Sequence, residues 1–318
     1  MDLTPTWHAE RTPDAPALVM ATSGETVTYA ALEDRSRRLA QALRTRGVTA
    51  GDHIAILMEN NQQYLPVAWA AQRSGLYYTA INSHLRPGEV QYVLDDCGAV
   101  ALVASDAMAE VVADLDLARI PVRIAVGDLP GFERYVDVVA GSARLPAAEE
   151  GEGREMLYSS GTTGRPKGVR KVLPGTPLGD PSAAPVLLGQ ALAAQGGVGP
   201  GAVYLCPAPL YHSAPIVYSM SMQRLGATVV VMERFDPRQC LEVIERHGVT
   251  HAQFVPTMFI RMLRLPEAER TRYDLSSLRF AIHAAAPCPV AVKRQMLEWW
   301  GPVIDEYYAA SEGGGTYV

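Results

Sequence analysis

Between Tyr158 and Val169 the chain reads Tyr-Ser-Ser-Gly-Thr-Thr-Gly-Arg-Pro-Lys-Gly-Val. Ser159, Ser160, Thr162 and Thr163 bring hydroxyls, Gly161, Gly164 and Gly168 bring permissive backbone, and Lys167 brings a mobile cation. Glycine lets successive N–H groups converge on one concave side, hydroxyls add rotatable donors, and lysine adds a point charge. Such a composition suits a polyphosphate. The order is not that of a Walker A loop, G-x-x-x-x-G-K-[ST] opening a helix, because Pro166 precedes the lysine, Gly168 follows it, and Val169 to Val172 has a strand pattern. A flexible surface hairpin is the default for an arbitrary Gly-rich loop. Here the combination of hydroxyls, glycines and lysine in this order argues for an oxyanion site.

Three further clusters carry chemistry. Ala208-Pro209-Leu210-Tyr211-His212-Ser213-Ala214-Pro215 falls in a strand-to-helix turn, the kind of place where parallel strands open onto a binding crevice. There His212 has the chemistry of a gate, a hydrogen-bond donor or a satisfied surface residue. Ile282-His283-Ala284-Ala285-Ala286-Pro287 follows the strand-like Leu278 to Ala281, and its small residues suit either a flat ligand or tight helix-on-strand packing. Tyr307-Tyr308-Ala309-Ala310-Ser311-Glu312-Gly313 offers an aromatic ring, a hydroxyl and a hard carboxylate oxygen of the kind magnesium takes.

The elements that must position these clusters follow from periodicity. Thr28 is a helix cap ahead of Leu32, Leu39, Ala42 and Leu43, with Arg46-Gly47 as stop. His53 to Met58 is an apolar run suited to a buried parallel strand, Tyr64 to Ser74 a helix, Tyr77 to Ile81 a strand, Pro87 to Asp96 a helix ended by Gly98, and Ala99 to Ala104 a strand. Leu129 to Gly153, with Glu149-Glu150-Gly151-Glu152, has the composition of a solvated connection. Val172 to Ala184 carries too many prolines and glycines to be regular. The alternation then resumes: helix Val186 to Gln195, strand Val203 to Cys206, helix Pro215 to Leu225, strand Thr228 to Met232, helix Pro237 to His247, strand Thr250 to Val255. This is the pattern of an α/β fold with parallel sheets covered on both faces. It divides into two α/β subdomains, 1–185 including the loop 158–169, and 186–318.

Composition narrows the function classes. The 318 residues are 48% hydrophobic with a net charge of −6, an ordinary globular balance with no basic footprint for nucleic acid or anionic membrane. Cys97, Cys206, Cys240 and Cys288 are far apart and form neither a disulfide framework nor a zinc motif, which fits buried small hydrophobes in a reducing cytoplasm. The N-terminus lacks a basic region followed by an apolar core, and Ala183 to Val198 is broken and too short to span a bilayer. No G-x-G-x-x-G follows the first strand, so a Rossmann dehydrogenase is disfavoured. Oligomeric state, a homodimer included, is left open.

The run from Tyr158 to Val169 closely resembles the phosphate-binding signature of the AMP-forming adenylating superfamily, which includes acyl-CoA synthetases, luciferases and peptide-synthetase adenylation domains. The later clusters resemble that family's further signatures, in its order. The linking Phe235-Asp236-Pro237 and Thr250 to Thr257 are most similar to the acyl-CoA ligase branch. The resemblance implies that Ser159, Ser160, Gly161, Thr162, Thr163, Gly164 and Lys167 hold the phosphates of ATP, and that His212 lies between the carboxylate pocket and the nucleotide. It also implies that Ala284, Ala285, Ala286 and Pro287 lie against the adenine. Tyr307, Tyr308 and Ser311 belong to the nucleotide site, and Glu312 to Mg²⁺. The departures are Ala284 and Ala309 for glycine and Ser311 for threonine.

The activity implied is that of an acid–thiol ligase of the long-chain fatty-acid–CoA type. A carboxylate attacks the α-phosphorus of ATP to give an acyl-adenylate, and CoA then displaces AMP. The alternatives are transfer to a carrier protein, or a nucleotide-binding module without turnover. The apolar acid would lie near Ile216, Val217 and Met220, with Val255, Pro256 and Thr257 and the small Ala284 to Ala286 segment beside it. In the family a β-barrel subdomain and a C-terminal lid domain follow the last signature, and they carry a ribose-binding aspartate, a hinge and a lysine. This sequence ends at Val318. The resemblance therefore implies a truncated enzyme, with weak ATP binding and much reduced turnover.

Overall fold

The computed structural model describes residues 3–159, 165–309 and 315–317, the last three by backbone alone. From the N-terminal side run α1 (Pro5–Arg11), β1 (Pro16–Met20), β2 (Thr26–Thr28), α2 (Tyr29–Thr45), β3 (His53–Leu57), α3 (Tyr64–Gln72), β4 (Tyr77–Ala80), α4 (Pro87–Cys97) and β5 (Ala99–Ser105). The chain continues through α5 (Ala109–Ala113), β6 (Val122–Val126), β7 (Glu133–Arg134), α6 (Tyr135–Ala140), β8 (Arg154–Ser159) and β9 (Lys167–Arg170). Then follow α7 (Ala184–Gly196), β10 (Val203–Cys206), α8 (Ser213–Arg224), β11 (Thr228–Val231), α9 (Pro237–His247), β12 (His251–Phe254) and α10 (Pro256–Leu263). Last come α11 (Glu267–Arg270), β13 (Phe280–His283), α12 (Val290–Trp300), β14 (Ile304–Ala309) and β15 (Gly315–Tyr317).

Local signals set most boundaries. Thr28 accepts the Ala31 N–H at 3.2 Å and starts α2. Asp236 accepts from Arg238 and Gln239 at 3.0 and 2.9 Å and starts α9 at Pro237. Gly98 ends α4 with φ 65°, a left-handed turn that costs a side-chain-bearing residue more. Every residue of α3 is buried, as expected for a helix apolar on all sides.

The described strands form two sheets, ordered β7-β6-β5-β3-β4-β8-β9 and β15-β14-β13-β12-β10-β11-β1-β2. Among the described strands the central pairings are parallel, and antiparallel pairs occur where β2, β9 and β15 turn back on a neighbour. One core cluster contains residues of both sheets together with α2, α3, α7 and α8. A second packs α9, α10 and α12 on the other face of the longer sheet, and a third packs α4 and α5 on the other face of the shorter one. The result is five layers, helices alternating with sheets. Among the described residues no helix is long and apolar enough to cross a membrane.

Two sequence expectations change here. The division at residue 185 does not separate the sheets, because β1 and β2 join the longer sheet, β1 pairing in parallel with β11 (Leu18 with Val229). The acidic run before the phosphate loop is also only partly solvated, with Glu149 exposed. Glu150 and Glu152 are buried, and each meets a buried arginine. Glu33 and Glu150 converge on Arg73, whose guanidinium donates to them at 2.6, 3.1 and 2.9 Å, and Arg37 lies 3.2 Å from Glu150. Glu152 pairs with Arg224, which also donates to the Leu3 carbonyl at 3.0 Å. A carboxylate that reads as surface in sequence is buried when an arginine in the fold is there to meet it.

Candidate functional site

The phosphate-loop residues Ser160, Gly161, Thr162, Thr163 and Gly164 lie outside the described residues, as do Ser311 and Glu312. The hairpin that frames the loop is described. β8 leaves the shorter sheet in parallel with β4 (Tyr77 with Arg154), and β9 returns antiparallel with Ser159 opposite Lys167. Lys167 is exposed on this edge strand.

Three tyrosines fasten the hairpin. The Tyr77 hydroxyl donates to the Lys171 carbonyl at 2.7 Å, Tyr92 to the Pro166 carbonyl at 3.2 Å, and Tyr158 to Asp96 at 2.5 Å. Burial, with that carboxylate, raises the Tyr158 hydroxyl far above its ordinary value, so it remains a donor. Arg165 and Arg170 lie 5.3 and 4.7 Å over the rings of Tyr92 and Tyr77. Gly168 is required by packing, because a Cβ there would sit 2.5 Å from Met156 Cε and 2.9 Å from Tyr158 Cζ.

His212 is the residue that caps α8, with extended backbone (φ −84°, ψ 151°) and no capping bond from its side chain. The ring of Tyr211 is 4.5 Å from it, centroid to centroid. His212 reaches solvent, yet the surrounding protein lowers its pKa below 6.5, favouring the neutral imidazole. The turn that carries it is held from the other sheet. Asn60, just past the end of β3, donates to the carbonyls of Met232 at 2.8 Å and Ala208 at 3.2 Å and accepts the Leu210 N–H at 2.8 Å. Sequence reasoning passed over Asn60. Its signal was there in the polar run Glu59-Asn60-Asn61 directly after an apolar strand.

At the end of β13, Ala284 is buried and Ala285 and Ala286 are exposed. Ala285 has φ 73°, the left-handed region a side chain disfavours, so the glycine-like backbone falls one residue beyond the Ala284 substitution noted in the sequence. Pro287 follows, exposed. His283 is buried, its two ring nitrogens make no hydrogen bond among the described residues, the Glu306 carboxylate lies 3.7 Å from Nε2, and burial lowers its pKa. In β14, strand alternation sends the neighbouring tyrosines to opposite sides. Tyr308 is 78% exposed, whereas Tyr307 accepts a 2.9 Å bond from buried Gln253 and stacks on Tyr218 of α8 at 5.8 Å.

The candidate pocket residues separate. Ile216 is wholly buried in the shared core, Val255 packs on the second cluster, and Thr257 is exposed in the first turn of α10. Val217 and Met220 line a cavity of about 110 Å³ beneath α8. Its other walls include Tyr78, Arg154, Glu155 and Lys171. The expected apolar tunnel is thus bordered, along this face of α8, by charge. Among the described residues no three His, Cys, Asp or Glu side chains gather to hold a metal.

Comparison with known proteins agrees with this architecture. The chain belongs to the AMP-binding enzyme family, whose model matches residues 5–318. The fatty acid–acyl-carrier-protein ligase ScoC of Streptomyces coeruleorubidus is 28% identical over 99% of this chain and 59% of its own length. 4-Coumarate–CoA ligase 3 of Oryza sativa subsp. japonica is 30% identical over 86% of this chain and 49% of its own. The chain therefore spans about half to three-fifths of the length of these relatives. Among solved structures, the N-terminal domain of FACL13 from Mycobacterium tuberculosis superposes with a TM-score of 0.81 at 25% identity, over 98% of this chain and 77% of that one.

Proposed function

We propose that this chain carries the nucleotide- and acid-binding part of an AMP-forming acid–thiol ligase, which activates a fatty or other apolar carboxylic acid with ATP for transfer to CoA. The observation that carries the reading is positional. The phosphate-loop run follows β8, the His212 turn follows β10, the Ala284 to Pro287 run follows β13, and the Tyr307 signature lies at the end of β14. Ligands in open α/β sheets bind outside the carboxyl ends of parallel strands, and along the chain each run comes at or after the end of such a strand.

The chemistry needs no protein nucleophile, because the acid's own carboxylate attacks the α-phosphorus and pyrophosphate leaves. What the protein supplies is position and charge. Lys167, with the hydroxyls and N–H groups of its loop, would follow the departing pyrophosphate. Neutral His212, fixed at the start of α8, would orient the acid. Ala284 to Pro287 with Tyr307, Tyr308 and Ser311 would receive the nucleoside. Glu312 is the residue that would hold a magnesium ion, which would offset phosphate charge. A second acceptor, a carrier-protein thiol, is favoured by the likeness to ScoC along nearly the whole chain.

Carboxylate-dependent ATP–pyrophosphate exchange without CoA tests the reading. Exchange with one class of acid supports it and names the substrate. Folded protein that binds AMP yet exchanges with no acid would leave a nucleotide-binding module. Comparing CoA with a phosphopantetheinyl carrier protein then separates the acceptors.

A further inference from the structure

The cavity beneath α8 has an apolar side, where Ala184, Pro185 and Leu188 join Val217 and Met220, and a charged side. Val217, Met220, Ser221 and Arg224 face it at helical spacings of three, four and seven, the rows that share one side of a helix. Opposite them stand Tyr78, Arg154, Glu155 and Lys171. The Tyr78 hydroxyl is committed to Met220 Sδ at 3.4 Å, Lys171 to Glu155 at 2.7 Å, and Arg224 to Glu152.

Arg154 is different. Its side chain is 12% exposed, its Nε has no hydrogen-bond partner among the described residues, and its nearest carboxylate oxygen, on Glu155, is 3.5 Å away. A guanidinium carries donors in a rigid fork, and a largely buried one left short of acceptors favours any oxygen that can reach it. Along α8 the rise of 1.5 Å per residue puts Val217 about 7 Å and Met220 about 12 Å from His212. An extended acid of that length with its carboxylate at His212 would reach the level of the cavity along α8.

We infer that the cavity is a subsite for the distal end of the acid, and that the acid it takes carries a hydrogen-bond-accepting oxygen there, such as a second carboxylate, set against Arg154. This rests on the reading of His212 as the carboxylate end of the site. It narrows the substrate from apolar acids in general to acids oxygenated at the far end. The volume, about 110 Å³, is below that of the roughly 150 Å³ cavity that holds benzene, so it accommodates a terminal group and not a chain.

The test is a calorimetric titration, with AMP present, of a ladder of α,ω-diacids and of the monoacids of equal length. At the length that fits, the diacid should bind about tenfold more tightly, the discrimination one charge-assisted contact supplies. Arg154→Met should abolish the preference and leave monoacid affinity within about twofold. Should that variant not fold, Lys171→Met carries the test, because it frees Glu155 to occupy Arg154 and should also erase the preference. Monoacids binding as well as diacids at every length, or a preference that survives these substitutions, overturns the subsite alone. Failure of every acid to bind protein that still binds AMP overturns the ligase reading, and the subsite with it.

Discussion

Between the two sheets, Arg73 is enclosed by Glu33 and Glu150, and Arg224 by Glu152 and the Leu3 carbonyl; all five side chains are buried. On the edge of the shorter sheet, Lys167 is exposed and makes no ion pair among the described residues. The same residue types serve opposite ends. Charges in the seam are consumed by one another, and they hold the layers in register at the cost of desolvation. The charge at the rim is, on the proposed function, the one a ligand would meet. His212 lies between these extremes, open to solvent while its turn is locked from the other sheet by Asn60. Stability and binding should therefore respond to different substitutions.

The largest effect belongs to the seam. Arg73→Ala leaves two buried carboxylates with only Arg37 to share and should cost about 3 kcal/mol, read as a lower urea midpoint. A loss under about 1 kcal/mol would mean that the seam is wetter than its burial implies and would erase the contrast. Asn60→Ala strips partners from two carbonyls and one N–H and should cost about 2 kcal/mol. It should also speed amide exchange at Leu210 while leaving the β8–β9 hairpin unchanged. Equal exchange in wild type and variant would show that the turn holds itself.

At the rim, Lys167→Ala should weaken ATP binding by about 1.5 kcal/mol, near tenfold, with the thermal midpoint unchanged. Unaltered affinity removes Lys167 from the phosphate site, and a lowered midpoint makes it structural. Ala285→Gly should stabilise by about 1 kcal/mol, because the φ of 73° disfavours a Cβ. A variant no more stable than wild type would mean that the loop relaxes when the methyl is lost.

The effect spread over the most groups is acid lability. Burial lowers the pKa of His53, His212, His247, His251 and His283 below 6.5, to about 4 for His53, where the Arg170 charge adds to it. The unfolded chain then binds protons first, so this stability is complete above 6.5 and is lost as pH falls toward 4. Glu33 adds to the same trend lower down. Burial alone would raise its carboxyl, but Arg73, Thr6 and Arg37 together bring it below 4.5. Glu150 works against it, since burial outweighs Arg73 there and raises its carboxyl. Urea midpoints at pH 7 and 5 check the sign, and His53→Phe should flatten the slope.

Much of this molecule was legible locally. Thr28, Gly98 and Pro237 mark their helix ends in sequence and in the fold, and the strand Val203 to Cys206 has the expected bounds. Where reading failed, the partner was distant. β1 pairs with β11 more than two hundred residues on, and no local pattern says which sheet a strand will join. Glu150 and Glu152 looked solvated because composition records charge without its partner. Val217 and Met220 were placed beside a ligand path, but the charged wall opposite them comes from β8 and Lys171.

The sequence by itself determined the alternating elements, because caps, glycines and hydrophobic period act within a few residues, and it holds the hydroxyls, glycines and lysine from which an oxyanion loop after β8 is proposed. Only the tertiary structure decided which carboxylates are buried, that Asn60 holds the His212 turn, and that Tyr307 turns inward while Tyr308 faces water. Each of these depends on which groups two distant segments bring within about 3 Å, the range over which a hydrogen bond is made or lost.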